Sequence, residues 1–165
     1  MRIDTTRDCM VCAFCHSNWF PPRDADGVRV FEQTAGVDCP VCGTQLFAAS
    51  IVGCPVDFCG ECRGILVRAE AFLMVQASLR LAAGRPIEVQ RPSEPSELAR
   101  QLSCPVCSRH MDTHFYGGSG SVVIDNCPAC QLNWLDHGKL QRIALAPDPV
   151  VPDEFTWNPT IGFKT

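Results

Sequence analysis

The sequence predicts a small α+β fold, stapled by metal and built from two copies of one unit. Three observations carry this expectation. Ten of the 12 cysteines among 165 residues form five C-x-x-C pairs: Cys12/Cys15, Cys39/Cys42, Cys59/Cys62, Cys104/Cys107 and Cys127/Cys130. Four of these pairs combine into C-x2-C-x16-C-x2-C over residues 39–62 and C-x2-C-x19-C-x2-C over residues 104–130, the spacing of four-thiolate zinc sites. The surrounding residues also repeat. Cys39-Pro40-Val41-Cys42 returns as Cys104-Pro105-Val106-Cys107, Leu46 as Met111, and Val56-Asp57-Phe58-Cys59 as Ile124-Asp125-Asn126-Cys127.

A C-x-x-C turn aims two sulfurs at one ion, and two such turns complete a tetrahedron. A unit of roughly 40 residues buries too little apolar surface to fold unaided, so the metal supplies what the core lacks. The expected fold is therefore a pair of tandem zinc ribbons, each a β-hairpin with two cysteine knuckles followed by a helix. The expected ligands are Cys39, Cys42, Cys59 and Cys62 in one copy, and Cys104, Cys107, Cys127 and Cys130 in the other.

Taken in order, residues 1–38 form an N-terminal cysteine-rich knuckle segment holding Cys9, Cys12, Cys15 and His16. Residues 39–84 are the first ribbon. Strands at 46–52 and 56–58 flank a turn at Gly53-Cys54-Pro55, and a helix over 69–83 places Phe72, Val75 and Leu79 on one face before Gly84 and Pro86 end it. Residues 85–103, with Pro86, Pro92 and Pro95, read as a linker ending in a short helical turn near 97–102. Residues 104–146 are the second ribbon, with strands at 113–116 and 121–124 joined by Gly117-Gly118-Ser119-Gly120. Its shorter helix, over 136–144, starts at an Asp136 cap and stops before Pro147. Residues 147–165 form an extended tail with four prolines and the aromatics Phe155, Trp157 and Phe163.

The run Cys127-Pro128-Ala129-Cys130-Gln131-Leu132-Asn133-Trp134-Leu135-Asp136-His137-Gly138-Lys139-Leu140 resembles the closing motif of the transcription-factor-IIB-type zinc-ribbon family. The resemblance covers residues 104–144 well. It covers 39–75 more loosely, because Ile65-Leu66-Val67-Arg68 stands where the family has W-L-D. It implies small bacterial zinc-binding proteins, mostly without an assigned activity, and does not imply general transcription initiation.

The remaining cysteines leave alternatives open. Cys9, Cys12, Cys15 and Cys54 would make a third four-thiolate zinc site, since twelve cysteines divide evenly into three. Cys12/Cys15 could instead be a half-knuckle, completed by His16 or by another group, or pair with Cys39/Cys42. The spacing Cys9-x2-Cys12-x2-Cys15 is also shared with part of an iron–sulfur motif.

Other residues have plainer readings. Trp134 and Leu135 are expected to close a miniature core, Asp57 and Asp125 to hydrogen-bond the knuckle backbone, and His110, His114 and His137 to lie in solvent. Phe115 and Tyr116 sit near a hairpin tip, where they could stack on a base, dock on a partner or support the neighbouring module.

Charge and motif content narrow the function. The formal net charge is −4, and each zinc on four thiolates makes it more negative. That disfavours a phosphate-backbone footprint. No G-x-S-x-G, H-E-x-x-H or phosphate loop occurs, and four thiolates leave zinc no open position for water. No run of about 18 apolar residues exists to span a membrane. The start, Met1 to Cys9, lacks the apolar stretch of a signal peptide, which predicts a cytoplasmic, reducing setting. The expectation is a non-catalytic zinc protein acting as a protein-interaction or adaptor module, with a homodimer as one form. The alternatives are a nucleic-acid-binding transcriptional regulator and a thiol or iron redox protein using the N-terminal cysteines.

Overall fold

The computed structural model describes residues 1–83, 95–116 and 122–145. The expected Gly117-Gly118-Ser119-Gly120 turn and the 147–165 tail lie outside these residues. Ten strands and three α-helices are described. A small N-terminal sheet contains β1 (Arg2–Asp4), β2 (Cys9–Val11) and β3 (Asn18–Trp19), in that order. A second sheet of seven strands holds both ribbons. Its members are β4 (Arg29–Asp38), β5 (Gln45–Ile51), β6 (Cys54–Phe58), β7 (Ile65–Arg68), β8 (Asp112–Tyr116), β9 (Val122–Cys127) and β10 (Leu132–Leu135). The helices are α1 (Ala69–Ala83), α2 (Pro95–Ala99) and α3 (Lys139–Leu145).

The spatial order of the large sheet is β4-β5-β6-β7-β10-β9-β8, so the two ribbons meet at β7 and β10. These strands pair antiparallel, with Leu66 opposite Trp134, Val67 opposite Asn133 and Ile65 opposite Leu135. In the sequence repeat Leu66 and Trp134 are equivalent positions. At this one pair equivalent residues face each other, and the flanking pairs exchange, so the two copies are related by a pseudo-two-fold axis through the Leu66/Trp134 pair. One sheet runs through both copies.

The strands alternate between two cores, as a pleat requires. Ile65, Val67 and Leu135 join Phe72 and Val75 of α1 and Leu140 and Ile143 of α3 on one face. Leu66, Leu132 and Trp134 face the other way, into a cluster with Leu46, Leu102, Met111 and the buried cysteines. The helix predicted over 69–83 is present with those bounds. Its buried residues include Phe72 and Val75, and the Arg80 guanidinium donates to the Ile143 carbonyl of α3 at 3.5 Å. Tyr116 of β8 packs edge-on against Phe72, ring centres 5.1 Å apart, and its hydroxyl donates to Gln76. The helix of the first copy thus rests on the second.

Several expectations are corrected. The β5–β6 hairpin turns at Val52-Gly53, both at positive φ, because Ile51 pairs with Cys54 across a two-residue loop. Cys54 is consequently a strand residue, and it is buried. The β4 strand along the first ribbon was not foreseen. It lacks regular alternation, and its pairing with β5 shifts register twice. Part of the expected 85–103 linker is built into the second ribbon. Leu102 is buried and accepts from the Met111 N–H at 2.8 Å, and Ser103 bridges to His110. The second helix starts at Lys139, not at an Asp136 cap, for a reason that lies in the side chain of Asp136.

Candidate metal centres

The first cysteine of each knuckle sits where a strand or bridge stops and a tight turn begins. Cys39 follows β4, Cys59 follows β6, and Cys127 ends β9, while Cys104 follows the Ser103 bridge. Three of the four turns share one hydrogen-bond pattern. The Cys39 N–H donates to the Thr44 carbonyl at 2.7 Å, and the Gly43 N–H returns to the Cys39 carbonyl at 2.9 Å. Cys59 repeats this with Gly64 and Arg63, both at 2.9 Å, and Cys104 with Arg109 and Ser108, both at 2.8 Å. The residue after each second cysteine is left-handed: Gly43, Arg63, Ser108 and, in the fourth turn, Gln131. Left-handed backbone is costly for the three residues other than glycine and persists where the surrounding structure enforces it.

The knuckles bring their sulfurs together as two groups. Cys39, Cys42, Cys59 and Cys62 form one and Cys104, Cys107, Cys127 and Cys130 the other, with all sulfurs of a group within 4.8 Å of one another. The Cys39 and Cys62 Sγ atoms are 3.7 Å apart, and those of Cys107 and Cys127 are 3.6 Å apart. A tetrahedron with zinc–sulfur bonds of about 2.3 Å has edges of about 3.8 Å, so both groups fit zinc. In each knuckle the first cysteine is buried and the second lies nearer solvent. Both groups border the same apolar cluster, under Leu66 and Trp134.

The thiols are tuned against one another. Burial pushes the Cys59 thiol up, but donation from the Cys62 N–H and the Thr44 hydroxyl outweighs it and brings it to about 6. Burial and neighbouring thiols push Cys62 strongly upward. In the second group the Arg109 N–H, followed by the Cys130 thiol, lowers Cys107 to about 7, while Cys107 chiefly raises Cys130 to about 12. Four thiols packed this closely cannot all ionise without a cation among them. Zinc binding would hold all four as thiolates and fill the tetrahedron with protein sulfur.

A polar network that the sequence did not reveal buttresses the second centre. Arg100 forms a two-pronged ion pair with Asp136, both contacts at 2.9 Å, and also pairs with the fully buried Asp125. Asp125 accepts from the Thr113 hydroxyl at 2.6 Å, so it ties β8 to β9 rather than serving the knuckle backbone as expected. Asp136 further accepts from the Trp134 indole N–H at 3.0 Å and pairs with Lys139 at 2.7 Å. It is the hub of this network, which is why it does not cap α3. Burial alone would raise the Asp136 carboxyl, but Arg100 and Lys139 overcome that and hold it below its ordinary range. Among the described residues Asp57, the first-copy equivalent of Asp125, has no comparable partner, and burial pushes it up against a weaker pull from Arg68.

The remaining predicted residues are placed as follows. Trp134 and Leu135 are buried, and His110 and His114 are exposed. His137 is half-exposed, but its Nε2 lies 3.1 Å from Asp26, so it touches the N-terminal segment. Among the described residues only the two groups above gather three or more metal-ligating side chains. The expected third site is therefore not assembled within the chain. Cys9 and Cys54 are buried, whereas Cys12 and Cys15 lie at an outward hairpin tip.

The family comparison agrees with this geometry. Residues 103–146 match the family model described as transcription factor zinc-finger, the TFIIB-type zinc ribbon. The four-cysteine group at 39–62 supports a second copy. No curated protein and no solved structure matches the chain. Among the described residues, no helix is long and apolar enough to cross a membrane.

Proposed function

We propose that this chain is a non-catalytic, cytoplasmic adaptor whose two zinc centres hold a rigid protein-docking platform. The observation that carries the reading is the outward face of α1. Leu73, Met74 and Leu81 are exposed there, Leu81 at 85%. With Gln76, Ala77 and Arg80, Leu73 and Leu81 line an open groove of about 610 Å³. Solvent-facing leucines spaced along one helix suit an apolar partner surface. The opposite face of the helix is fixed to both ribbons, so the zinc centres govern its position. Four-sulfur coordination suits this structural role, since it offers a substrate no vacant ligand position.

Photo-crosslinkers at Leu73 and Leu81, installed in the cell that makes the protein, test the reading. The expected result is a discrete protein adduct that Leu73→Glu/Leu81→Glu abolishes while zinc content and melting stay unchanged. Tight binding to mixed-sequence DNA that weakens steeply with salt, without a protein adduct, would replace this reading with nucleic-acid binding.

A further inference from the structure

The N-terminal segment contains a fifth knuckle. The Cys12 N–H donates to the Ser17 carbonyl at 2.9 Å, and the His16 N–H returns to the Cys12 carbonyl at 3.0 Å. His16, directly after the second cysteine, is left-handed at φ 57°. Donor, acceptor and left-handed position coincide with those of the knuckles at Cys39, Cys59 and Cys104. The Cys15 Sγ lies 3.1 Å from the Ser17 Oγ, so the second sulfur of the turn is tied to the residue whose carbonyl closes it. The backbone that presents two sulfurs to zinc is therefore formed here as well.

What differs is the opposing pair. Each ribbon knuckle faces a second one from its own chain, but this knuckle forms the tip of the β2–β3 hairpin and points into solvent. Cys9 lies at the far end of β2 and is fully buried, and Cys54 is buried in the first ribbon. Neither joins Cys12 and Cys15 in a metal-sized group. Zinc held by protein sulfur alone requires two more thiolates from elsewhere.

We propose that Cys12 and Cys15 are half of a third zinc site, completed by the same two cysteines of a second copy of this chain. A two-fold axis through the ion generates the four-sulfur tetrahedron from a single knuckle. Such an interface is self-complementary by construction. The surface around the knuckle suits burial in a contact. Phe14, between the two cysteines, is 94% exposed, and Trp19 at the end of β3 and Phe20 just after it are exposed too. Around a shared ion these rings leave water against their symmetry mates. The proposal is independent of the docking face on α1 and of the ribbon centres.

The test is native mass spectrometry on reduced, anaerobically purified protein with added zinc, alongside sedimentation velocity. The expected species is a dimer carrying five zincs. The Cys12→Ser/Cys15→Ser variant should be a monomer carrying two. Mild chelation of the wild type should remove the shared ion first and give that same two-zinc monomer. A wild-type chain that stays monomeric with two zincs in zinc excess would overturn the proposal. So would a monomer holding three, which would require ligands from within the chain. Fewer than two zincs in the variant would instead count against the ribbon centres, so the two failures are distinct.

Discussion

The indole of Trp134 lies against the backbone of Gly64, so closely that a Cβ on that glycine would overlap the ring. The contact joins the two ribbons at their seam, one residue before β7 and in the middle of β10. It also shows why the copies diverge. Where the second copy has tryptophan, the first has Leu66, and the large ring needs a position without a side chain on the opposing ribbon.

Gly64→Ala is therefore expected to force the ring or the strand aside, at a cost of about 1–3 kcal/mol typical of overpacking. Thermal melting should fall accordingly, with both ribbon zincs still bound. An unchanged melting temperature would mean the seam is looser than described.

Arg100 provides the second prediction. Arg100→Ala leaves the fully buried carboxylate of Asp125 without its cation. Breaking a buried ion pair from one side costs about 3–5 kcal/mol. The double variant Arg100→Met/Asp125→Leu should recover much of that loss, because it removes the buried carboxylate while Asp136 keeps Lys139 and Trp134. Equilibrium unfolding of the single and double variants checks this. Equal destabilisation by Arg100→Ala and by the double variant would show that the pair matters through packing alone.

How much of this was legible in the sequence depends on how far apart the partners lie. The eight ribbon cysteines were legible because zinc coordination imposes a local spacing. So was α1, whose apolar face and terminators sit within one segment. The β7–β10 seam was not legible. Two four-residue strands from different copies find each other only because the repeat places Leu66 opposite Trp134. Arg100 escaped notice because its carboxylates lie 25 and 36 residues further on. Cys9 and Cys54 could not be separated from true ligands by residue type. Both are buried, and neither falls in a metal-sized group with Cys12 and Cys15.

The Asp136 carboxyl gives a pH prediction with a definite sign. Its folded-state pKa lies below the unfolded value of about 3.9. Its stabilising contribution is thus fully present above that value and disappears only as pH falls through the folded pKa. Asp136→Asn should destabilise the protein by about 1–3 kcal/mol, the range for hydrogen bonds to a charged group. The gap from the wild type should stay constant between pH 5 and 8. A gap that narrowed toward pH 5 would mean the carboxyl is protonating there, and that Arg100 and Lys139 do not hold it as described.

Cys127→Ser tests whether the two ribbons are one structural unit. Cys127 is both a ligand and the last residue of β9. Its loss leaves three sulfurs at the second centre and should reduce the ribbon zincs from two to one per chain. If the ribbons were independent beads, the first would keep its own melting transition. The structure makes that outcome unfavourable, because β7 has β10 as one of its two ladder neighbours and α1 lies against α3 and Tyr116. Melting the second ribbon exposes the Leu66 and Phe72 surfaces of the first. Hydrogen exchange should therefore show faster exchange in β7 and α1 of Cys127→Ser, although no residue of either binds the lost ion. Wild-type protection across both elements would mean that the first ribbon is stable by itself and that the shared sheet adds little.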